Sequence, residues 1–418
     1  MTTEESIIRA FPVAYPSSKY ANQFMFFAWD IFLNTNRWEK RKSIQSPTIA
    51  KIIQADSASE AALEFQRYKN FPGLLLRENH PEFLFARNHF PDKGGFSRNE
   101  VVALMDLDRF ASPAETYRPE FHRIFPSEET FKQKAINRKK LRQAILADVG
   151  QVMMVYSDPE DSLNQLLEKN LSSAKHLIKD CTYYPGYRYD LFGFSQPELL
   201  SQIQDFFRDK IFTVGDGNHR TRAAKMTAQE LTDIPSARWL MAALVNLYDP
   251  NFRIDPIHRI IRNRTDDFVE SFFDRMTHVS FDSFHGLMEA FQSDENPYAI
   301  AVTDGKKFYL LEPKPFFLKE IRKAVGSPVP VHILNRLLLP HEITREHPDL
   351  DTEIEPEDAW QAAQSEKGTV ALFLKSIPRP ILEDAFRNHI IFPEKAFSIV
   401  GKVPAGGPMW LFGDQPML

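Results

Sequence analysis

One short segment of the chain combines glycines with polar and basic residues, in the order Val214-Gly-Asp-Gly-Asn-His-Arg-Thr-Arg-Ala-Ala224. The apolar run before it predicts a buried strand, and residues 221–231 predict a helix. The N–H groups and the positive dipole end of a helix N-terminus favour a bound anion. Gly215 and Gly217 let the backbone approach a ligand closely. The segment therefore predicts an anion site between a strand and a helix.

The polar side chains of this segment fit the same chemistry. Arg220 can hold phosphate oxygens with two N–H groups, and Asn218 and His219 add donors. Asp216 can hold a metal ion or a hydroxyl group. The alternative is an ordinary strand–turn–helix whose polar residues face solvent. No Gly-Lys-Ser/Thr follows, so it is not a Walker A loop, and Arg220 replaces the third glycine of the dinucleotide fingerprint.

Two weaker clusters each allow a structural interpretation as well. In Ser127-Glu-Glu-Thr130, Glu128 or Glu129 can be a general base, or both can be acids that stabilise a helix start. In the stretch 254–261, His258 and Arg259 place two basic groups together, either in a site or at a solvated strand end. Neither cluster by itself assigns a function.

Helices and strands that would position these residues alternate along the chain, which predicts an α/β class. Strands are expected at 73–76, 83–86, 101–105, 152–156, 187–194, 211–214, 239–247, 298–302, 308–311 and 370–373. Helices are expected at about 56–68, 130–147, 162–178, 197–207 and 221–231. Residues 107–130 are interpreted as a polar loop, and the basic helix 132–142 as a solvated face.

Composition excludes several classes of protein. The 418 residues are 43% apolar and 26% charged, which is typical of a globular chain. A net charge of −5 argues against a nucleic-acid partner. The single cysteine, Cys181, excludes an internal disulfide and indicates a reducing compartment. An acidic N-terminus and the absence of an apolar run of about 18 residues predict a cytoplasmic protein with no membrane partner.

Taken in order, the clusters resemble the bacterial and archaeal family called domain of unknown function 1015. Its Asp-Gly-x-His-Arg turn matches Asp216–Arg220, its Val-Asn strand matches 244–246, and its Pro-x-His-Arg segment matches 256–259. The resemblance spans roughly residues 8 to 410 and includes the terminal segment 393–402. In two departures, Ser127 replaces a family histidine, and Ala396-Phe397 replaces Ser-Thr.

The turn also resembles that of archaeal free-serine kinases of the ParB/sulfiredoxin-like fold. This resemblance implies a core of that fold at 120–265 between mixed α/β domains at 1–119 and 266–418. It implies a kinase that uses ATP or ADP with Mg²⁺ to phosphorylate a small hydroxyl compound, free L-serine. The alternative is a non-catalytic nucleotide-binding regulator, which the two departures favour. The acceptor, the choice of nucleotide and the oligomeric state stay open.

The resemblance also implies roles for individual residues. Glu128 would be the catalytic base, with Asp216 and His219 as further catalytic residues and Asp216 as the Mg²⁺ ligand. The strand at 239–247 is expected to lie parallel beside the strand of the turn and to bring residues 258 and 259 to it. The nucleotide-binding residues would be Gly215, Gly217, Asn218, Arg220, Arg138, His258 and Arg259.

Overall fold

The computed structural model describes residues 6–27, 37–91, 94–112, 118, 120–130, 132–343 and 347–415. The chain divides into two compact units, Met1–Phe252 with Gly401–Leu418, and Arg253–Val400. Helices and strands are mixed in both, which confirms the α/β class. None of the described helices is both long enough and apolar enough to cross a membrane.

The strands are, in chain order, β1 (Ile8–Arg9), β2 (Ala14–Pro16), β3 (Phe26–Phe27), β4 (Leu75–Arg77), β5 (Phe83–Phe90), β6 (Phe96–Asp106), β7 (Ile124–Pro126), β8 (Asp148–Gly150), β9 (Val152–Tyr156), β10 (Lys175–Tyr184), β11 (Tyr187–Phe194), β12 (Phe212–Asp216), β13 (Trp239–Asn246), β14 (Ile254–Asp255), β15 (His258–Ile261), β16 (Met276–Phe281), β17 (Ile300–Thr303), β18 (Phe308–Pro313), β19 (Leu350–Glu353), β20 (Val370–Leu374), β21 (Ser398–Ile399) and β22 (Pro404–Trp410).

The helices are α1 (Ala21–Phe24), α2 (Arg37–Lys42), α3 (Ala50–Ile53), α4 (Ala58–Lys69), α5 (Lys132–Ile145), α6 (Ser162–Lys169), α7 (Pro197–Phe207), α8 (Asn218–Glu230), α9 (Phe284–Ser293), α10 (Pro315–Val325), α11 (Pro330–Leu338), α12 (Pro356–Ser365) and α13 (Arg379–Arg387).

A large mixed sheet is the frame of the first unit. Its strand order is β10-β11-β5-β6-β13-β9-β12-β7, with β1 paired to β6. β13 runs parallel to β9 and β7 runs parallel to β12, whereas β12 is antiparallel to β9. Strands β3, β22, β2, β4 and β8 form a second sheet of this unit. β12 therefore lies between an antiparallel neighbour and a parallel one.

Alternation along the strands builds the apolar core of this unit. Val152, Met154 and Tyr156 of β9 belong to one buried cluster with alternate residues of β13 and apolar side chains of α6 and α7. Because successive side chains of a strand point to opposite faces, Met153 and Val155 lie on the other face. The helices thus cover one face of the sheet and fix which residues of β9 face away from them.

The second unit has its own sheet and core. Its strand order is β16-β18-β17-β20-β15-β19, and β14 pairs separately with β21. Apolar residues of α9 and α12 pack with alternate residues of β17, β18 and β20 in a second buried cluster. This division differs from the expected boundaries at 119/120 and 265/266. The reason is that β5 and β6, before residue 119, share one sheet with β9, β12 and β13.

Several expected elements are confirmed and others are wrong. The bounds of β9, β11 and α7 agree with the sequence analysis. Residues 175–178, expected to be helical, begin β10, because they pair with β11 in a long antiparallel hairpin. Residues 124–126, expected to be loop, form β7. Pro126 is tolerated there because β7 lies at the edge of the sheet.

The basic helix α5 is not a solvated face throughout, because Arg142 is buried. Its Nε donates to Asp148 Oδ1 at 2.7 Å, and its other nitrogens donate to the carbonyls of Ala237 (3.1 Å) and Trp239 (2.9 Å). Asp148 Oδ2 also accepts from Met241 N at 3.1 Å. Arg142 therefore joins α5 to the start of β13.

Replacing Arg142 with methionine should destabilise the first unit by about 3–5 kcal/mol, because it leaves the Asp148 carboxylate buried without its cation. Urea unfolding measures the change. Lys140→Met, on an exposed position of the same helix, is the matched control and should change stability by less than about 0.5 kcal/mol. Equal effects of the two substitutions would show that the buried pair does not hold α5.

Candidate functional site

The segment for which the sequence predicts an anion site lies where β12 meets α8. β12 continues through Asp216, and α8 begins at Asn218, three residues before the expected start. The first helical hydrogen bond runs from Thr221 N to Gly217 O at 2.8 Å. His219 and Arg220 therefore lie in the first turn of the helix, where the backbone N–H groups point out of its end.

Gly217 is required here for two reasons. Its φ of 99° lies in the left-handed region, which side chains strain. A Cβ at this position would also lie 3.0 Å from Arg220 Nε, from Arg220 Nη2 and from Val152 Cγ1. The missing side chain thus allows the Arg220 guanidinium to fold back against the turn.

The parallel pairing of β7 with β12 brings Ser127 to the turn. Ser127 N donates to Asn218 Oδ1 at 3.1 Å, and Asn218 Nδ2 donates to Ser127 Oγ at 3.1 Å. Both residues are buried. At the position where the family has a histidine, the serine therefore fastens the β7 loop to the first turn of α8.

The next residues of this loop carry the expected base. Glu128 follows Ser127 directly and is half-buried, while Glu129 is exposed. Arg222 Nη1 donates to the carbonyl and to the hydroxyl of Thr130, both at 2.9 Å, and so fixes the end of the loop to α8. The structure thus places Glu128 in a loop attached to the helix at both ends.

Three charged residues meet at the turn. Arg220 Nη2 lies 2.6 Å from Asp216 Oδ2, and Lys402 Nζ lies 2.7 Å from Asp216 Oδ1. Arg220 Nη1 donates to Gln151 O at 2.6 Å, which anchors the guanidinium to the start of β9. The side chains are only partly exposed, at 12% for Arg220, 23% for Asp216 and 19% for Lys402. One carboxylate therefore holds two cations beside a helix N-terminus.

Sequence reasoning did not assign a role to Lys402, although it ends the terminal segment that carries the family resemblance. The residue is 186 positions from Asp216 in the chain. Gly401 holds it in place, because Arg98 donates to the Gly401 carbonyl. Arg98 is fully buried and pairs with Glu100 at 2.7 Å. Only the tertiary fold shows that this lysine belongs to the turn.

The expected Mg²⁺ ion does not fit these donors. Each oxygen of Asp216 already lies against a cation, which disfavours a divalent ion on the same carboxylate. Within the described part of the chain, no group of three or more histidine, cysteine, aspartate or glutamate side chains is arranged to hold a metal. The arrangement assigns Asp216 to charge pairing instead.

His258 and Arg259 lie on β15, in the second unit. His258 Nδ1 accepts from Leu374 N at 3.2 Å, and Arg259 donates to the carbonyls of Ile257 (2.7 Å) and Lys395 (3.0 Å). The strand order from which their position was predicted is wrong, because β9 separates β13 from β12 and β13 runs opposite to β12. Their participation in a phosphate site stays a prediction.

Arg138, which the resemblance implies as a nucleotide contact, lies on α5. Arg138 is half-buried on α5, one residue before Lys139, whose Nζ pairs with Glu230 at the last residue of α8. Arg138 therefore lies toward the C-terminal half of α8, and its contact with a nucleotide stays a prediction.

Burial raises the pKa of Cys181 to about 12, so the thiol is protonated near neutral pH.

Comparison with known proteins identifies the family. The family model described as protein of unknown function (DUF1015) matches residues 13–351. The chain therefore belongs to this family, as the resemblance predicted. No curated protein matches the chain.

Several solved structures resemble the chain distantly. A conserved hypothetical protein from Pyrococcus furiosus is 10% identical, with a TM-score of 0.36 over 66% of this chain and 87% of that one. A free serine kinase in complex with AMP is 11% identical, with a TM-score of 0.35 over 66% and 84%. SbnI with a C-terminal truncation, from Staphylococcus aureus, is 9% identical, with a TM-score of 0.37 over 72% and 84%. Likenesses this distant carry no argument about activity, and the ParB/sulfiredoxin-like core stays a prediction.

Removing the amide of Asn218 should detach the β7 loop from the turn. Asn218→Ala leaves Ser127 N buried without its acceptor, and we expect a loss of about 1–3 kcal/mol in the free energy of unfolding. Ser127→Ala should cost less, because the bond from Ser127 N to Asn218 Oδ1 remains. Urea unfolding measures both, with the exposed Ser173→Ala as control. A larger loss for Ser127→Ala than for Asn218→Ala would contradict the assignment.

Proposed function

We propose that the chain binds a nucleotide through its phosphates at the β12–α8 turn and transfers a phosphoryl group to a small hydroxyl compound. The observation that carries the proposal is the pair of cations, Arg220 and Lys402, held on one carboxylate at the first turn of α8. Two cations beside outward-pointing helix amides form a donor set suited to phosphate oxygens. The resemblance of the turn to that of free-serine kinases suggests ATP or ADP, with free L-serine as the acceptor.

The partial burial of these groups matters for affinity. Charges that are partly shielded from water are screened less by salt than fully exposed ones. Arg220 and Lys402 nevertheless keep some exposure, so a ligand can reach them from solvent. The turn thus combines strong electrostatic attraction with access.

Glu128 would act as the general base of the transfer. The acceptor hydroxyl oxygen attacks the terminal phosphorus, the bond from that phosphorus to the bridging oxygen of the nucleotide breaks, and Glu128 takes the hydroxyl proton. Supporting this role, Ser127, the residue before Glu128, is hydrogen-bonded to Asn218 in the first turn of α8. Phosphoryl transfer needs positioning and charge neutralisation more than covalent chemistry, and the two cations would supply the neutralisation.

A non-catalytic nucleotide-binding regulator is the second candidate. The observation that favours it is in the terminal segment, where Ala396 and Phe397 replace the family's Ser-Thr. Both are buried, and the Phe397 ring packs against Phe392 with centroids 5.9 Å apart. This segment therefore presents apolar packing where the family has two hydroxyls. Binding would persist in such a protein without turnover.

Loss of either cation should weaken nucleotide binding. Arg220→Ala should cost about 1.5–3 kcal/mol, the range for a hydrogen bond to a charged group, and Lys402→Ala should also weaken binding. Calorimetric titration with ATP and ADP measures both, and Lys169→Ala, on an exposed position of α6, is the charge-matched control. If Arg220→Ala and Lys402→Ala bind nucleotide as tightly as the wild type and the control do, the turn is not the phosphate site.

Glu128→Gln separates the two candidate functions. If Glu128 is the base, the substitution should lower turnover by a factor of about 10²–10⁴ with little change in nucleotide affinity. The measurement is ADP formation from ATP, or AMP formation from ADP, with and without L-serine. Glu129→Gln, on the neighbouring exposed carboxylate, should be nearly silent. Wild-type protein that binds nucleotide but consumes none with serine or other small hydroxyl compounds would support the regulator.

A further inference from the structure

Asp216 holds both cations of the turn, and its own negative charge would repel a phosphate group. Its Oδ2 pairs with Arg220 and its Oδ1 with Lys402, at 2.6 and 2.7 Å. A carboxylate is planar and a phosphate group is tetrahedral, but each offers two neighbouring anionic oxygens to a pair of N–H donors. The carboxylate therefore stands between the same two cations that a phosphate group would bridge.

Each cation also has a support that does not involve Asp216, the side chain of Arg220 directly and Lys402 through the backbone before it. Arg220 donates through Nη1 to Gln151 O at 2.6 Å. Lys402 follows Gly401, whose carbonyl accepts from the buried Arg98. Gly401 has a φ of 76°, and a Cβ there would lie 2.8 Å from the Phe90 ring, so this backbone is closely packed. Removal of the carboxylate would therefore leave the Arg220 guanidinium bonded to Gln151 O and the backbone that carries Lys402 in place.

We propose that Asp216 is an internal anion that occupies the phosphate position between Arg220 and Lys402, and that the phosphate group of a ligand displaces it. Asp216 would play this part only if the turn binds phosphate, as proposed above. The carboxylate then sets the selectivity of the site, because a ligand must offer enough negative charge to replace it on two cations. Weakly charged or neutral molecules cannot do so.

The effect of removing the Asp216 charge on phosphate affinity distinguishes this role from that of a metal ligand or a catalytic acid. A carboxylate that competes with phosphate repels it, so removing its charge strengthens phosphate binding. A metal ligand contributes nothing when divalent cations are absent. Measurements in EDTA therefore isolate the competition.

The experiment titrates the full chain in EDTA with inorganic phosphate, ADP and ATP. Asp216→Asn should bind each of them about three to ten times more tightly than the wild type. Asp216→Glu keeps the charge and should give no gain, and Asp233→Asn, at an exposed position, should leave affinity unchanged. Unchanged or weaker binding by Asp216→Asn would overturn the proposal.

A second pair of variants covers the case in which two unneutralised cations prevent folding. Asp216→Asn in the background of Lys402→Gln has one cation fewer, and it should bind phosphate more tightly than Lys402→Gln alone. If phosphate binding tightens as expected but no variant binds a nucleotide, the internal anion stands and the nucleotide function fails. If nucleotides bind the wild type and Asp216→Asn equally, the function stands and the internal anion fails. If no phosphate ligand binds any variant, both fail.

Discussion

The parallel pairing of β7 with β12 is the constraint on which the candidate site depends. Residues 124–126 run beside residues 212–214 in the same direction. The segments that follow the two strands therefore leave the sheet at the same end of the strands. Ser127 and Asn218 then meet in a reciprocal pair of hydrogen bonds, although they are 91 positions apart. Without this pairing, the loop that carries Glu128 would have no fixed relation to the helix N-terminus.

Charge balance at the turn depends on buried polar contacts elsewhere in the same unit. The Arg98–Glu100 pair is fully buried, and Asn88 donates to the second oxygen of Glu100 at 2.9 Å. Since Arg98 also binds the Gly401 carbonyl, this pair holds the backbone that carries Lys402. Buried ion pairs add little net stability, and this one contributes by fixing the backbone beside Lys402. In this unit they determine where one of the site's two cations stands.

Some residues of the family pattern make contacts that hold the fold. Asn246, at the end of the Val-Asn strand, accepts from Asp158 N at 3.0 Å and donates to Asp158 O at 2.8 Å. It thus closes the loop between β9 and α6, at the opposite end of β9 from the turn. His258 accepts from the backbone of β20 within the second unit. A shared sequence pattern therefore marks structural contacts as well as candidate site residues.

The sequence by itself determined those features that depend on local chemistry. The ranges expected for β9, β11 and α7 agree with the bounds that the structure has. A glycine between a strand and a basic helix start predicted the turn, because few other residues adopt its backbone conformation. Residue types and spacing also indicated the polar residues of the turn and the acidic residues of the 127–130 loop as candidate site residues.

The tertiary structure decided which distant residues share the turn. A three-residue edge strand ending in proline carries too weak a local signal for β7 to be predicted. Lys402 looks like any other lysine until the fold brings it to Asp216, and Arg142 is buried only because Asp148 and the start of β13 surround it. The direction of β13 relative to β12 likewise depends on β9, which lies between them. Strand order and charge pairing arise from contacts between segments that are far apart in the chain. The local sequence of one segment does not show which other segment it will contact.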